Sequence, residues 1–138
     1  MKMTEILDLV QGTLDTLLSS DGVRSFWGRR ADIDADPQTS EYIIYDWEND
    51  GAEVCADGAC LYRVTRISLN YYMKFNIART YAGRLASMDR MESVMKAMRS
   101  AGFGCSNGWM EIGDVDNVGF ATFRSEYDIP REITEDGE

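Results

Sequence analysis

The segment Val54-Cys55-Ala56-Asp57-Gly58-Ala59-Cys60-Leu61 decides the fold, because it places an Asp-Gly pair between two extended runs. That dipeptide is a strong signal for a two-residue β-hairpin, since both turn positions require positive φ. A turn at this pair aligns Cys55 with Cys60 and Val54 with Leu61 across the two strands. The sequence therefore predicts an antiparallel pair of strands that meet at this turn.

Runs rich in aromatic and β-branched residues extend the hairpin on both sides of the turn. Tyr42-Ile43-Ile44-Tyr45 predicts a short strand before it, and Leu61 to Tyr72 predicts a longer strand after it. The apolar alternation in the second run changes phase between Val64 and Ile67, so a β-bulge is predicted there.

Two amphipathic helices are predicted, one at the N-terminus and one in the middle of the chain. Residues 4–18 carry apolar side chains at three- and four-residue steps, with Thr4 as the predicted N-cap. Residues 87–100 show the same spacing, with an earlier start near Thr80 left open, and end at Ala101-Gly102, where glycine favours a helix stop. The second predicted helix presents one apolar face, made of Met88, Met91, Val94, Met95 and Met98.

Turn and strand signals predict the remaining segments. Residues 24–40 are polar and predict a loop, as do residues 113–119. Asn107-Gly108 predicts a second tight hairpin, and residues 109–112 follow it as a strand. Residues 120–129 alternate as a last strand, with one side formed by Ala121, Phe123, Ser125, Tyr127 and Ile129.

The order of these elements predicts an α+β fold: a mainly antiparallel sheet with a long hairpin, packed by an N-terminal and a central helix. The chain has 138 residues, 44% of them hydrophobic, which is enough for one core and short for two. Residues 1–129 are therefore predicted to form a single domain, and the acidic residues 130–138 a flexible tail.

Composition disfavours most catalytic functions. The chain contains no histidine, which removes His-based triads, His-ligated zinc and the usual neutral-pH proton shuttle. The run Asp32-x-Asp34-x-Asp36 begins like a calcium loop, but Pro37 stands where such a loop needs glycine. We therefore expect no enzyme activity, no cofactor, and no catalytic or metal-binding residues.

Cysteine usage and hydropathy bear on the compartment. Cys55 and Cys60 either close a cross-strand disulfide or stay reduced, and an odd number of cysteines without an export signal favours reduced thiols in a cytoplasm. No run approaches the ~18 apolar residues of a membrane span, so no membrane partner is expected.

Charge is distributed unevenly along the chain, whose formal net charge is −10. Residues 60–100 hold eight basic and two acidic residues, a net charge of +6, whereas the rest carries −16. A net acidic protein is disfavoured as a DNA binder, because affinity for DNA comes from basic contacts to phosphates. The polarity suits copies that meet basic flank to acidic flank and close into a ring, although the charges could also simply be scattered over the surface.

The succession of a helix, an acidic hairpin, a second helix and a closing strand carries a family resemblance. The segments concerned are Pro37, Tyr42–Tyr45, Ala56-Asp57-Gly58, Leu61–Leu69, Met98–Phe103 and Phe120–Ile129. In pattern and spacing, residues 4 to 129 resemble the tail terminator (tail completion) and head–tail joining proteins of long-tailed bacteriophages. Residues 74–86 depart from that pattern, being longer than expected between strand and helix.

This resemblance implies a structural virion protein of the tail or neck, assembled in the host cytoplasm. It implies a ring, commonly of six copies, that caps the tail tube, offers a surface to the head connector protein and lets DNA pass without specific binding. We expect an acidic arm of one copy to meet basic residues of the next. The candidate interface residues are Asp46, Glu48, Asp50, Glu53, Asp57, Arg63, Arg66, Arg84 and Arg90.

Two alternatives stay open at this point. Within the same class, the chain could be a head–tail connector or stopper ring, which would bind a portal or adaptor protein in place of the tube. In a different class, a small acidic α+β domain could be a monomeric binding or inhibitor module for a basic partner.

Overall fold

The fold is built from three helices, a 3-10 turn and five strands, given by a computed structural model that describes residues 1–28, 41–56, 58–113 and 119–132. In chain order the elements are α1 (Met3–Leu18), a 3-10 turn (Ser19–Asp21), β1 (Arg24–Trp27), β2 (Glu41–Ala56), β3 (Ala59–Lys74), α2 (Phe75–Ala78), α3 (Tyr81–Ser100), β4 (Gly104–Ile112) and β5 (Phe120–Glu132).

The five strands form one sheet in the order β1-β2-β3-β5-β4. Strand β1 pairs in parallel with β2, and every other neighbouring pair is antiparallel. The predicted α+β class, with its long hairpin and its N-terminal and central helices, is therefore confirmed.

Helix α1 forms where predicted, but its N-cap is different. It begins at Met3, and the N-cap residue is Lys2, whose side chain makes no capping hydrogen bond. Thr4 lies inside the first turn, so the prediction of Thr4 as N-cap is wrong. The helix is held by its buried face instead, which consists of Ile6, Val10, Leu14 and Leu18.

The predicted loop over residues 24–40 is wrong at its beginning, where β1 lies. This strand has four residues, of which only Phe26 is buried, so it gives no clear alternation in the sequence. Its partner residues in β2 are Tyr42 to Tyr45, a long-range pairing that local patterns do not show. Residues 29–40 lie outside the described part of the chain.

The β2–β3 hairpin is longer than predicted, with 16 residues in each strand. Cys55 pairs with Cys60 as predicted, but Val54 pairs with Tyr62 because the register shifts after it. The β-bulge predicted between Val64 and Ile67 occurs at this level of the β2–β3 pairing, but on the β2 side. The pairing of β3 with β5 runs without interruption from Tyr62 to Lys74, and the register shifts near this region insert extra residues in β2.

Helix α3 begins at Tyr81, in agreement with the earlier start near Thr80 that the sequence left open, and the short α2 precedes it. The Oγ1 atom of Thr80 accepts a hydrogen bond from the backbone N–H of Gly83 at 3.0 Å and caps the helix. Of the predicted apolar face, Met91, Val94 and Met98 are buried, whereas Met88 is 62% exposed, so only part of that face lies in the core.

The tight hairpin predicted at Asn107-Gly108 is wrong, because both residues lie inside β4. The register with β5 shifts on each side of Asn107, so the extra residues are taken up as irregularities in an edge strand. The Asn107 side chain donates a hydrogen bond to Glu126 of β5 at 3.1 Å. Tertiary pairing has overridden the local turn preference here.

Strand β5 follows the predicted alternation and extends past Pro130 to Glu132. The flexible tail predicted for residues 130–138 is therefore wrong at its start. Arg131 is only 7% exposed, and residues 133–138 lie outside the described part.

The sheet buries side chains on both faces. The helices cover one face, and the main core there includes Leu14, Ile43, Leu69 and Tyr127. A smaller cluster of Phe26, Tyr42, Ile44 and Tyr72, packed with Phe120, lies apart from it, and the rings of Tyr42 and Tyr72 stack with centroids 4.8 Å apart. Both clusters take their β2 residues from Tyr42 to Tyr45, in the first half of that strand.

Candidate subunit interface

The β2–β3 hairpin continues beyond the main core as an arm, defined here as residues 46–66. The deeply buried residues described in β2 are Tyr42 to Tyr45, and residues 46–50 are half-buried or exposed. At about 3.3 Å per residue, 16-residue strands span roughly 50 Å, whereas a 20-residue helix such as α3 spans about 30 Å. The strands of the hairpin are therefore longer than the longest described helix.

Asp50 ties the arm to the end of β5. Its carboxylate accepts hydrogen bonds from Arg131, with Nε at 3.0 Å, from Arg63 at 3.2 Å and from the Thr65 hydroxyl at 2.6 Å. The hydrogen bonds from Arg131 lower the pKa of Asp50 well below its ordinary value, and those from Thr65 and Arg63 add to this against the opposing effect of burial. The arm is therefore braced by a buried, charged cluster.

A second set of ion pairs lies on the sheet face opposite the helices. Arg66 contacts Asp128 at 2.9 Å and Glu126 at 3.9 Å, and Arg124 pairs with Glu48. Burial raises the pKa of Glu48, but hydrogen bonds from Arg124 and Ser68 outweigh it and leave this pKa lowered. The hydrogen bond to Asp128 raises the pKa of Arg66. These pairs link three strands within one copy of the chain.

Arg90 of α3 is used inside the chain as well. Its guanidinium lies 2.6 Å from Glu41, 3.5 Å from Asp21 and 3.3 Å from the Tyr71 hydroxyl, which itself donates to Glu41. Burial raises the pKa of Tyr71, and the bond to Glu41 adds to this effect. Arg90 thus joins α3 to the start of β2 and to β3.

The predicted interface residues therefore comprise residues with an ion-pair partner in their own chain, residues without a described one, and residues outside the described part. Asp50, Arg63, Arg66 and Arg90 have carboxylate or guanidinium partners in their own chain, as does Glu48. Asp46 is half-buried and its carboxylate accepts from the Trp47 N–H at 2.8 Å. Arg84 is exposed on α3 and makes no ion pair within the described part of the chain. Asp57 and the Glu53 side chain lie outside what the structure describes.

An acidic aromatic surface, not predicted from the sequence, lies at the β1–β2 edge of the sheet. We call it the edge patch: Trp27, Trp47, Asp8 and Asp15. The two tryptophans are 60% and 41% exposed, and in the strand pairing they flank Tyr45. The Tyr45 hydroxyl donates to Gln11 of α1 at 2.5 Å, which places α1 over this edge. The Gln11 side chain also donates to Asp15 at 2.9 Å, and Asp8 lies two turns before Asp15 on the same side of α1. Burial and then the charges of Asp15 and Asp8 raise the pKa of Tyr45 to about 12.

A basic apolar surface, also missed, runs along the outside of α3. We call it the helix stripe: Tyr81, Arg84, Leu85 and Met88. The spacing of its apolar members places them on one side of the helix, where Tyr81 is 81% and Leu85 46% exposed. This spacing is visible in the sequence once the helix is taken to begin near Thr80, because residues 81 to 86 then belong to it.

Other chemistry is not assembled in the described residues. No group of three or more His, Cys, Asp and Glu side chains that could hold a metal ion occurs among them. Cys55 and Cys105 are free and exposed, and partial burial raises the pKa of the Cys105 thiol. None of the described helices combines the length and apolar character that a membrane crossing requires.

No protein-family model and no curated protein matches the chain.

Proposed function

We propose that this chain is a structural subunit of a bacteriophage tail or neck, forming a ring that caps the tail tube and joins it to the head connector. The observation that carries the proposal is the arm, a braced hairpin that reaches past the core. Among the described residues, β1 pairs with β2 only from Tyr42 to Tyr45. The outer edge of β2 along residues 46–56 therefore has no described strand partner.

An unpaired strand edge is a natural place for a second chain to add a strand. In a ring, the arm of each subunit lies against its neighbour and its backbone groups become hydrogen-bonded. The Asp50 cluster supports this role because it fixes the arm to β5 at Asp50 before any neighbour is present. A rigid arm loses less conformational entropy on assembly than a floppy one.

The charge of the chain agrees with a passage for DNA. With a net charge of −10, an acidic lumen would repel the phosphate backbone and let a genome slide through without binding. Specific DNA binding by this subunit is accordingly not part of the proposal.

The test uses the full chain on a sizing column with light scattering, alone and with tail-tube particles, at low and high salt. We expect a discrete ring, or decoration of one tube end in electron micrographs. A chain that stays monomeric and ignores tubes at both salt concentrations overturns the proposal and favours the acidic binding module. Binding to a portal or adaptor protein and not to tubes favours the connector or stopper ring.

A shortened arm tests the observation that carries the proposal. In this variant Asn-Gly replaces residues 52–63, which keeps Asp50, Thr65 and Arg131. We expect a folded protein, judged by its thermal unfolding, that no longer forms rings or caps tubes. Full assembly by this variant would show that the arm does not make the contact.

A further inference from the structure

We propose that the edge patch of one copy docks on the helix stripe of the next copy. This inference rests on the proposed function, because it names the two surfaces that meet within the ring.

The two surfaces lie at opposite sides of the molecule. The edge patch belongs to β1, β2 and α1, at the first strands of the sheet order. Helix α3 lies by β4, the last strand, where the Trp109 indole N–H donates to the Met91 carbonyl at 2.8 Å and Met95 packs beside Gly108. A contact between opposite sides leaves one free surface at each end of a pair, so it propagates until a ring closes.

The helix stripe lies on the flank of α3 that faces away from α1. The flank of α3 that faces α1 carries Ala86, Arg90 and Ser93, which line a cavity together with Leu17 and Leu18. At 100° per residue, Tyr81 and Met88 lie on the opposite flank of the helix. The stripe is therefore accessible to a neighbouring molecule.

Both surfaces carry the side chains that anchor protein interfaces. Tryptophan and tyrosine are enriched among the residues that contribute most to binding, and methionine adapts to the surface it meets. The edge patch offers two exposed indoles and the stripe offers Tyr81, Leu85 and Met88. Burial of these side chains against each other removes apolar area from water on both copies.

The charges of the two surfaces are complementary. Asp8 and Asp15 make no ion pair with any described residue, and neither does Arg84. The charged residues on either side of the stripe have contacts within the chain. Arg79 stacks on the Phe75 ring, and Glu92 lies 3.9 Å from Lys96. Two edge patches would repel each other through their carboxylates, so the attractive combination is one edge patch with one stripe.

Two complementary variants test this pairing. The edge variant carries Asp8→Lys with Trp27→Ser, and the stripe variant carries Arg84→Glu with Met88→Ser. We expect each variant alone to assemble about 30-fold more weakly than the unchanged chain, the size of effect typical of interface anchors. Mixed in equal amounts they should form a dimer, because one intact stripe then meets one intact edge patch.

Controls separate this inference from the proposed function. Met110→Ser removes an equally exposed methionine from β4 at a position paired with Arg124, and it should assemble normally. Thermal unfolding shows that each variant is folded. Normal rings from either variant, or a mixture that stays monomeric, overturn the pairing while the ring proposal stands. If the unchanged chain neither self-assembles nor caps tubes, both fail.

Discussion

The Nε atom of Arg131 lies 3.0 Å from Oδ1 of Asp50, which joins the end of β5 to the middle of β2 across the intervening strand β3. Both side chains are nearly inaccessible, with exposed fractions of 7% and 9%. A buried pair of this kind adds little stability over an apolar pair, but losing one partner leaves a charge without compensation. The contact therefore determines how well the arm is held.

Replacing Asp50 by Ala should lower the free energy of unfolding by about 3 kcal/mol, because the buried Arg131 would lose its ion pair with this carboxylate. Urea unfolding followed by circular dichroism measures this. The control is Glu92→Ala, which removes a carboxylate from the exposed pair with Lys96 and should leave stability nearly unchanged. Equal effects of the two substitutions would contradict the bracing role of Asp50.

Acid should destabilise the fold through the same carboxylate. The pKa of Asp50 is lowered in the folded chain, so its contribution is present above the unfolded pKa, about 3.9, and is lost as the pH falls toward the folded value. In the unchanged chain, we expect the midpoint temperature of unfolding to decrease as the pH is lowered below about 4. In Asp50→Asn, which is less stable at pH 7, this decrease should be smaller. Parallel pH curves for the two proteins would contradict this assignment.

Much of the fold follows from local signals in the sequence, whereas the pairings between distant residues do not. The Asp-Gly turn, the apolar stripe of α1 and the alternation of β5 were sufficient for the α+β class. The strand β1 was missed because it has one buried residue and takes its stability from pairing with Tyr42–Tyr45. The strand conformation of β1 therefore depends on its tertiary pairing with β2 and not on its local sequence.

The interface residues show the same limit. Arg90 and Glu41 are 49 positions apart, and nothing near either residue indicates that they meet. Charge counting places Arg84 and Arg90 in one basic region, although the first is exposed and the second bridges three elements. The tryptophans of the edge patch stand 20 positions apart, so only the parallel register of β1 and β2 brings them to one surface.

Two glycines in helices should respond in opposite ways to alanine. A Cβ atom at position 83 would collide with the Ile77 carbonyl oxygen and lie 2.8 Å from the Thr80 hydroxyl, whereas one at position 12 would meet nothing within 4 Å. We expect Gly83→Ala to destabilise the fold by about 2 kcal/mol through overpacking. Gly12→Ala should stabilise it by about 1 kcal/mol through helix propensity. Urea unfolding of both variants checks this, and stabilisation by Gly83→Ala would contradict the close α2–α3 approach.

Charge reversal at the two arginines of α3 should separate folding from assembly. Arg90→Glu places a carboxylate beside Glu41 and Asp21 in a largely buried position, so a marked loss of thermal stability is expected. Arg84→Glu changes an exposed side chain without a described partner, so its unfolding should match that of the unchanged chain while its assembly weakens. Thermal unfolding and light scattering on the same samples distinguish the effects. A stable, monomeric Arg90→Glu protein would instead mean that Arg90 acts between copies, and an Arg84→Glu protein that assembles normally would remove this residue from the interface.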